Sequence, residues 1–305
     1  MVCFVIIYRK VGNKMKKLII ALLVGIFSIM NIYGKDFENE FLKSFKDNDF
    51  DSCFKLLKEW ERAEPDNLEI NIYYFNYYFQ RNAKHTMTMG QMPDGRYGLY
   101  DKVEYDLKDV EKSVSYFDKI LKVQPNRFDV RANRCSVYVQ TEQYDKACDA
   151  LVDLIKYSKI NNNDWRWSKN KTLEECGLPK GENLLFNVIN ECFPEICNLF
   201  EENKEGVRKL IEAELKFYPD NTWGLNHASA YYRKIGNHKK SIEILSHAVQ
   251  IDPNDYILVG NLGYAYELDE DYLNAKKWYE YMLKMDDPKA VEYGKNGLKY
   301  IEGKY

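Results

Sequence analysis

Asn261-Leu262-Gly263-Tyr264-Ala265-Tyr266, followed by Ala275, Tyr279 and Pro288, decides how the rest of the chain is read. One period earlier stand Ala228-Ser229 and Tyr232, then Ser241, Leu245, Ala248 and Pro253. A third copy lies mid-chain: Arg134-Cys135 and Tyr138, then Tyr144, Ala147, Leu151 and Leu154. The prolines are an independent ruler. Pro253 follows Pro219 by 34 residues, Pro125 follows Pro65 by 60, and Pro219 follows Pro125 by 94. The last two spacings are one and two periods, each with 26 residues added. The repeat is therefore expected to run through the chain with two insertions, near 82–104 and 159–181.

Packing explains the pattern. Two helices cross closely only where both carry a small residue, and larger side chains then fill the space between pairs. The crossing pairs are expected to be Gly263 with Ala275, Ser229 with Ser241 and Cys135 with Ala147, with Cys53 and Ser113 in weaker copies. A proline after the second helix cannot continue it but suits the first turn of the next. Helices are expected near 36–47, 50–63, 67–81, 106–123, 127–140, 143–157, 183–201, 204–217, 221–235, 238–250, 255–268, 271–285 and 288–302. Strand is confined at most to a hairpin near 84–100.

These offsets resemble the tetratricopeptide repeat, a helix–turn–helix unit of about 34 residues. The resemblance covers about 36–302 and is strongest in 126–157 and 220–288. It implies an all-α fold: a right-handed superhelical solenoid of tetratricopeptide-like helix pairs with two loop insertions. Residues 288–302 would form a C-terminal capping helix, with Ala290, Tyr293, Leu298 and Ile301 on its inner side. Gly297 on that helix is expected to meet few neighbours. In this family the first helix of each pair lines a concave face that takes an extended peptide or a partner helix. The matching positions are Tyr73, Asn76, Asn133, Ser136, Asn226, His227, Arg233, Lys234, Asn261 and Tyr264. Amides there would hold a peptide backbone, and Arg233 and Lys234 a carboxylate. The family's clamp for C-terminal carboxylates needs several bases across consecutive repeats, which this sequence lacks.

The chain has 305 residues, 45% hydrophobic and 30% charged, with 25 Tyr, 16 Gly and 8 Pro. That composition supports a sizeable core and excludes collagen, low-complexity disorder and a polytopic membrane protein. Residues 1–34 hold five bases and no acid. Without them 39 bases (44 less five) face 47 acids. A balance that acidic argues against nucleic acid or an anionic membrane surface as partner.

Met15-Lys16-Lys17 and the apolar run Leu18–Met30, closed by Gly34, have the shape of a secretory signal peptide over 1–34, with Met15 an alternative true start. Thirteen residues rise only about 20 Å as a helix, short of the ~30 Å hydrocarbon core. A mature chain of 35–305 is expected outside the cytoplasm, in the periplasm or secreted, as in a bacterial exported protein, without stable membrane insertion.

No catalytic constellation emerges. Four histidines (His85, His227, His238, His247) form no metal or general-base pattern. Gly90 and Gly95-Arg96 lack the Lys and hydroxyl of a phosphate loop and read as a turn at Pro93-Asp94-Gly95. Cys53 and Cys135 read as small buried residues, whereas any disulfide would join members of the group Cys176, Cys192 and Cys197. No cofactor or metal is implied, and the chain reads as a non-catalytic interaction module or assembly scaffold. The alternative is a glycan- or small-ligand-binding protein using Trp165, Trp167 and a Tyr-rich face. Against it stands the reading in which both rings fold back onto the helices.

Overall fold

The computed structural model describes residues 36–91, 97–179, 181–198 and 200–304. The expected signal segment and the Pro93-Asp94-Gly95 turn lie outside them. The described residues are dominated by thirteen helices, α1 (Phe37–Lys46), α2 (Phe50–Ala63), α3 (Ile70–Gln80), α4 (Leu107–Val123), α5 (Phe128–Gln140), α6 (Tyr144–Ile160), α7 (Glu182–Asn198), α8 (Lys204–Phe217), α9 (Thr222–Lys234), α10 (His238–Ile251), α11 (Tyr256–Leu268), α12 (Tyr272–Met282) and α13 (Pro288–Ile301). Each coincides with an expected helix to within a few residues. Residue contacts divide the chain into two compact units, Met1–Val188 and Ile189–Tyr305.

Helix starts follow local chemistry. Asp36, Asp49, Asp106, Asn221, Asn237, Asp255, Asp271 and Asp287 each accept a hydrogen bond from a first-turn amide, satisfying donors that a helix leaves open. Between the two helices of four pairs the chain turns through a left-handed residue: Asn48, Glu142, Gly236 and Glu270. Asn48 and Glu142, like Glu142 and Gly236, are 94 residues apart, and Gly236 and Glu270 are 34 apart. The proline spacing thus recurs in the backbone conformation.

In the first unit, α1 packs on α2, α3 on α4 and α5 on α6. Its core is aromatic: Phe41, Phe45, Trp60, Tyr74, Phe75 and Phe117 are buried, and the rings of Phe75 and Phe117 stack at 4.2 Å. Between α3 and α4, strands β1 (Lys84–Gln91) and β2 (Tyr97–Glu104) pair antiparallel, from Lys84 opposite Glu104 to Gln91 opposite Tyr97. The insertion is therefore a hairpin, longer than the sequence pattern suggested, and Gly90 lies in a strand. In the second insertion β3 (Arg166–Trp167) pairs with β4 (Lys171–Thr172).

In the second unit α8 packs on α9, α9 on α10, α11 on α12, and α13 on both α11 and α12. The small residues sit where the crossing argument places them: Ser229, Ser241 and Ala275 are fully buried, as are Cys53, Ser113, Cys135 and Ala147 in the first unit. The terminal helix departs from expectation in two ways. Tyr293 is 44% exposed, and Gly297, far from being open, presses its backbone against Tyr279, where a β-carbon would come within 2.6 Å of the ring. No disulfide joins any of the six described cysteines.

Candidate functional site

The residues singled out on the first helices separate into those engaged by their own chain and those left open. In the first unit Tyr73 donates from its hydroxyl to Glu38 (2.7 Å), and burial followed by the Glu38 charge pushes its ionisation well above the usual range. Ser136 spends its hydroxyl on the Ala132 carbonyl (3.2 Å). Asn133 is half-buried, and Asn76 keeps a buried, unpaired side-chain oxygen.

The second insertion ties down the starts of the same helices. Arg166 N–H donates to the Asn126 carbonyl (2.8 Å). The Lys169 backbone N–H donates to Glu69 (3.1 Å) and its ammonium to Glu38 (3.4 Å). Beneath it Arg127, fully buried, pairs with Glu69 (2.5 Å) and Asp129 (2.8 Å). Burial alone would pull this guanidinium down, but the two carboxylates outweigh it and hold Arg127 above its ordinary range. Trp165 is buried, its ring edge-on to Phe128 at 5.2 Å and its Nε1–H donating to Asn163 (3.2 Å). Trp167 is half-buried and stacks on the same Phe128 at 6.1 Å. Trp165 thus folds back onto α5, as one of the two readings of these rings had it, while Trp167 keeps part of its surface.

In the second unit His227 is not a free face residue either. Its Nδ1 lies 2.9 Å from Glu214 Oε1 and its ring stacks on Phe193 at 4.2 Å. Burial raises the Glu214 carboxyl, opposed by His227. Lys234 donates to the Cys197 carbonyl (2.7 Å). What stays open is narrower. Asn261 Nδ2 donates to Asn226 Oδ1 (2.8 Å), joining α11 to α9. Arg233 lies 5.7 Å from the centre of the Tyr264 ring and donates to Ser229 Oγ (3.1 Å). Tyr264 is 37% exposed. Tyr293 of α13 also works with Tyr264 against the lowering of Arg233 by burial, a contribution missed because the helix pattern gave that ring to the core.

Among the described residues no group of three or more His, Cys, Asp or Glu could hold a metal ion, and no helix is long and apolar enough to cross a membrane.

Helix pairs with small residues at each crossing, left-handed turns between them and a 34-residue spacing define a protein built from helix–turn–helix repeats. Residues 225–255 match the family model of the tetratricopeptide repeat. That segment carries a tetratricopeptide repeat, a fold that serves in general as a module for protein–protein interaction. A segment of 93 residues, 30% of the chain, is 29% identical to anaphase-promoting complex subunit 3 of Schizosaccharomyces pombe, and spans 13% of that protein's length. Among solved structures, YrrB, a tetratricopeptide protein with an unusual peptide-binding site, is 14% identical with a TM-score of 0.40, covering 78% of this chain and 97% of that one. A thermophilic tetratricopeptide protein of Thermus thermophilus is 13% identical with a TM-score of 0.39, covering 63% of this chain and 92% of that one.

Proposed function

We propose that this protein is an exported, non-catalytic interaction module that binds an extended peptide segment of a partner protein on the first-helix face of its second unit. The observation that carries the reading is the amide pair Asn226–Asn261 beside Arg233 and Tyr264. Two side-chain amides bridging consecutive first helices still have a donor pair on Asn226 and an acceptor on Asn261 to offer a peptide backbone. In the first unit Tyr73 is engaged by Glu38 and Ser136 by the Ala132 carbonyl. Export rests on the basic head and apolar run of residues 15–34.

Panning a phage-displayed library of random dodecapeptides on the host-processed chain tests the binding reading. Enriched peptides should lose at least tenfold in affinity to Asn261→Ala and Tyr264→Ala. Binding confined to a glycan array, or peptides indifferent to both variants, would overturn it. Sequencing the N-terminus of the protein from its host tests export: a start near Lys35 is expected, and an intact leader in the cytosol refutes it.

A further inference from the structure

The hairpin of the first insertion is left largely uncovered by the helices of its own chain. Neither strand packs extensively on a helix, and none of the described side chains of β1 and β2 is buried. Side chains alternate between the two faces. One face carries His85, Met87 and Met89 beside Val103, Asp101, Leu99 and Tyr97. Met87 (66%), Met89 (63%), Leu99 (60%) and Tyr97 (76%) are all well exposed there. The other face carries Thr86, Thr88 and Gly90, with the Tyr100 ring against Gly90. A two-stranded sheet with nothing behind it is marginal in water, and further strands are what stabilise it.

The two edges of the hairpin differ. Strand edges are ordinarily guarded against pairing by charge or proline. β2 has that guard in Asp101, Lys102 and Glu104. β1 has no proline, and from Thr86 to Gln91 it has no charge. Its basic residues, Lys84 and His85, stand together at one end. An antiparallel copy of the same strand sets that end against the uncharged Gly90 and Gln91, whereas a parallel copy would set lysine against lysine. Charge also favours a second copy over a charged partner. Residues 35–305 hold 39 bases against 47 acids, so two copies repel each other in general. The hairpin is the exception. Lys84 and Lys102 balance Asp101 and Glu104, and the pairs His85–Asp101 (2.7 Å) and Lys102–Glu104 (3.7 Å) close within it.

We propose that β1 of one copy pairs antiparallel with β1 of a second copy, joining two hairpins into a four-stranded sheet across a twofold axis at Thr88. Residues opposite each other then share a face, as a register must provide. Met87 meets the partner's Met89 on the apolar face, extending the existing Met89–Leu99 pair across the join. Thr88 meets the partner's Thr88 on the other face, and cross-strand pairs of both kinds stabilise a sheet. The interface is isologous and closed. Eight residues at about 3.3 Å each put the helices of the two copies about 26 Å apart, at opposite ends of the shared sheet. The pairing involves the first unit alone and stands independently of the peptide reading.

Sedimentation equilibrium of the host-processed chain tests it, with two double variants. Met87→Lys with Met89→Lys opposes lysines across the join, and Met87→Glu with Met89→Glu opposes carboxylates. Neither methionine is buried, so both proteins should keep the wild-type helical dichroism. The wild type should dimerise reversibly, and each variant alone should associate at least tenfold more weakly. An equimolar mixture of the two should recover the dimer, because every lysine then faces a glutamate. Amide exchange of the wild type needs no variant: protection within 86–90 should rise with protein concentration. A chain that stays monomeric, a dimer that both variants keep, or exchange within 86–90 that ignores concentration overturns the proposal. Loss in both variants with no recovery on mixing overturns the antiparallel β1 register. A monomer that instead retains a different host protein through Met87 and Met89 gives the face to that partner and overturns the second copy.

Discussion

Gly297 is held face to face with the ring of Tyr279: a β-carbon at that glycine would lie 2.6 Å from three ring carbons. The same ring meets Gly263, where a β-carbon would come within 2.8 Å, so Tyr279 is gripped between the bare backbones of α11 and α13. It cannot swing aside easily, because it is 2% exposed and its hydroxyl is fixed to Glu267. The terminal helix is thus docked by glycine, as the internal crossings are docked by serine, alanine and cysteine.

Gly297→Leu should therefore destabilise the second unit at least as much as Gly263→Leu. Overpacking of this kind costs about 1–3 kcal/mol, and here the gain in helix propensity on replacing glycine, up to about 1 kcal/mol, is too small to offset it. Urea midpoints of the two variants check the ordering. A Gly297→Leu protein with a wild-type midpoint would refute the sandwich.

The left-handed turns make a second pair of variants informative. Gly236 adopts φ +77° at no steric cost, whereas Glu270 adopts φ +61° in the equivalent turn one period later. A side chain there costs roughly 1–2 kcal/mol. Gly236→Ala should lower stability by about 1 kcal/mol. Glu270→Gly should raise it slightly, about 0.5 kcal/mol, because relief of strain is partly offset by the greater freedom of glycine in the unfolded chain. Thermal melts of both proteins report the opposite signs directly.

How much of this was legible in the sequence depends on what kind of interaction was at stake. The helices and their crossings followed from spacing, because a small residue at a crossing and a cap before a helix act locally. That Gly263 packs tightly against α12 was readable for that reason, although the ring it meets is Tyr279, not Ala275. Gly297 was not, since it meets Tyr279 through a contact between helices with no repeat offset to announce it. The face residues were legible as positions and not as states. Only the folded chain shows that His227 is claimed by Glu214 and Phe193, Lys234 by a carbonyl, and Tyr73 by Glu38. Trp165 is similar: a ring folding back onto the helices was one reading of the insertion, but only the folded chain shows that Phe128 and Tyr157 are what it meets.

Glu191 predicts a pH dependence. Burial raises its carboxyl to about 7 from an ordinary 4.5. The folded chain therefore holds this proton more tightly than the unfolded chain does. The stability it contributes is full below pH 4.5 and is lost progressively as pH rises to about 7. Glu191→Gln should flatten stability across that window and raise it at neutral pH. The gain is at most about 3 kcal/mol, at roughly 1.4 kcal/mol for each pH unit of the shift. Urea unfolding at pH 4.5, 6 and 7.5 tests the sign: a wild type that gains on the variant as pH rises would contradict it.

Trp165 separates a structural second insertion from a ligand platform. Its indole is 2% exposed, packed between Phe128 and Tyr157, with its N–H on Asn163. Truncating a buried aromatic of this size costs about 3–5 kcal/mol through lost transfer energy and the cavity left behind. Trp165→Ala should cost that much and loosen the insertion, releasing Lys169 from Glu69 and Glu38. Trp167→Ala, at a half-buried ring stacked on one face of Phe128, should cost markedly less. Amide exchange localises the effect. Faster exchange at Arg166 and Lys169, whose amides are bonded to Asn126 and Glu69, is the signature of a loop that Trp165 anchors. A Trp165→Ala protein as stable as wild type, with those two amides still protected, would return the tryptophan to the surface and reopen the stacking role.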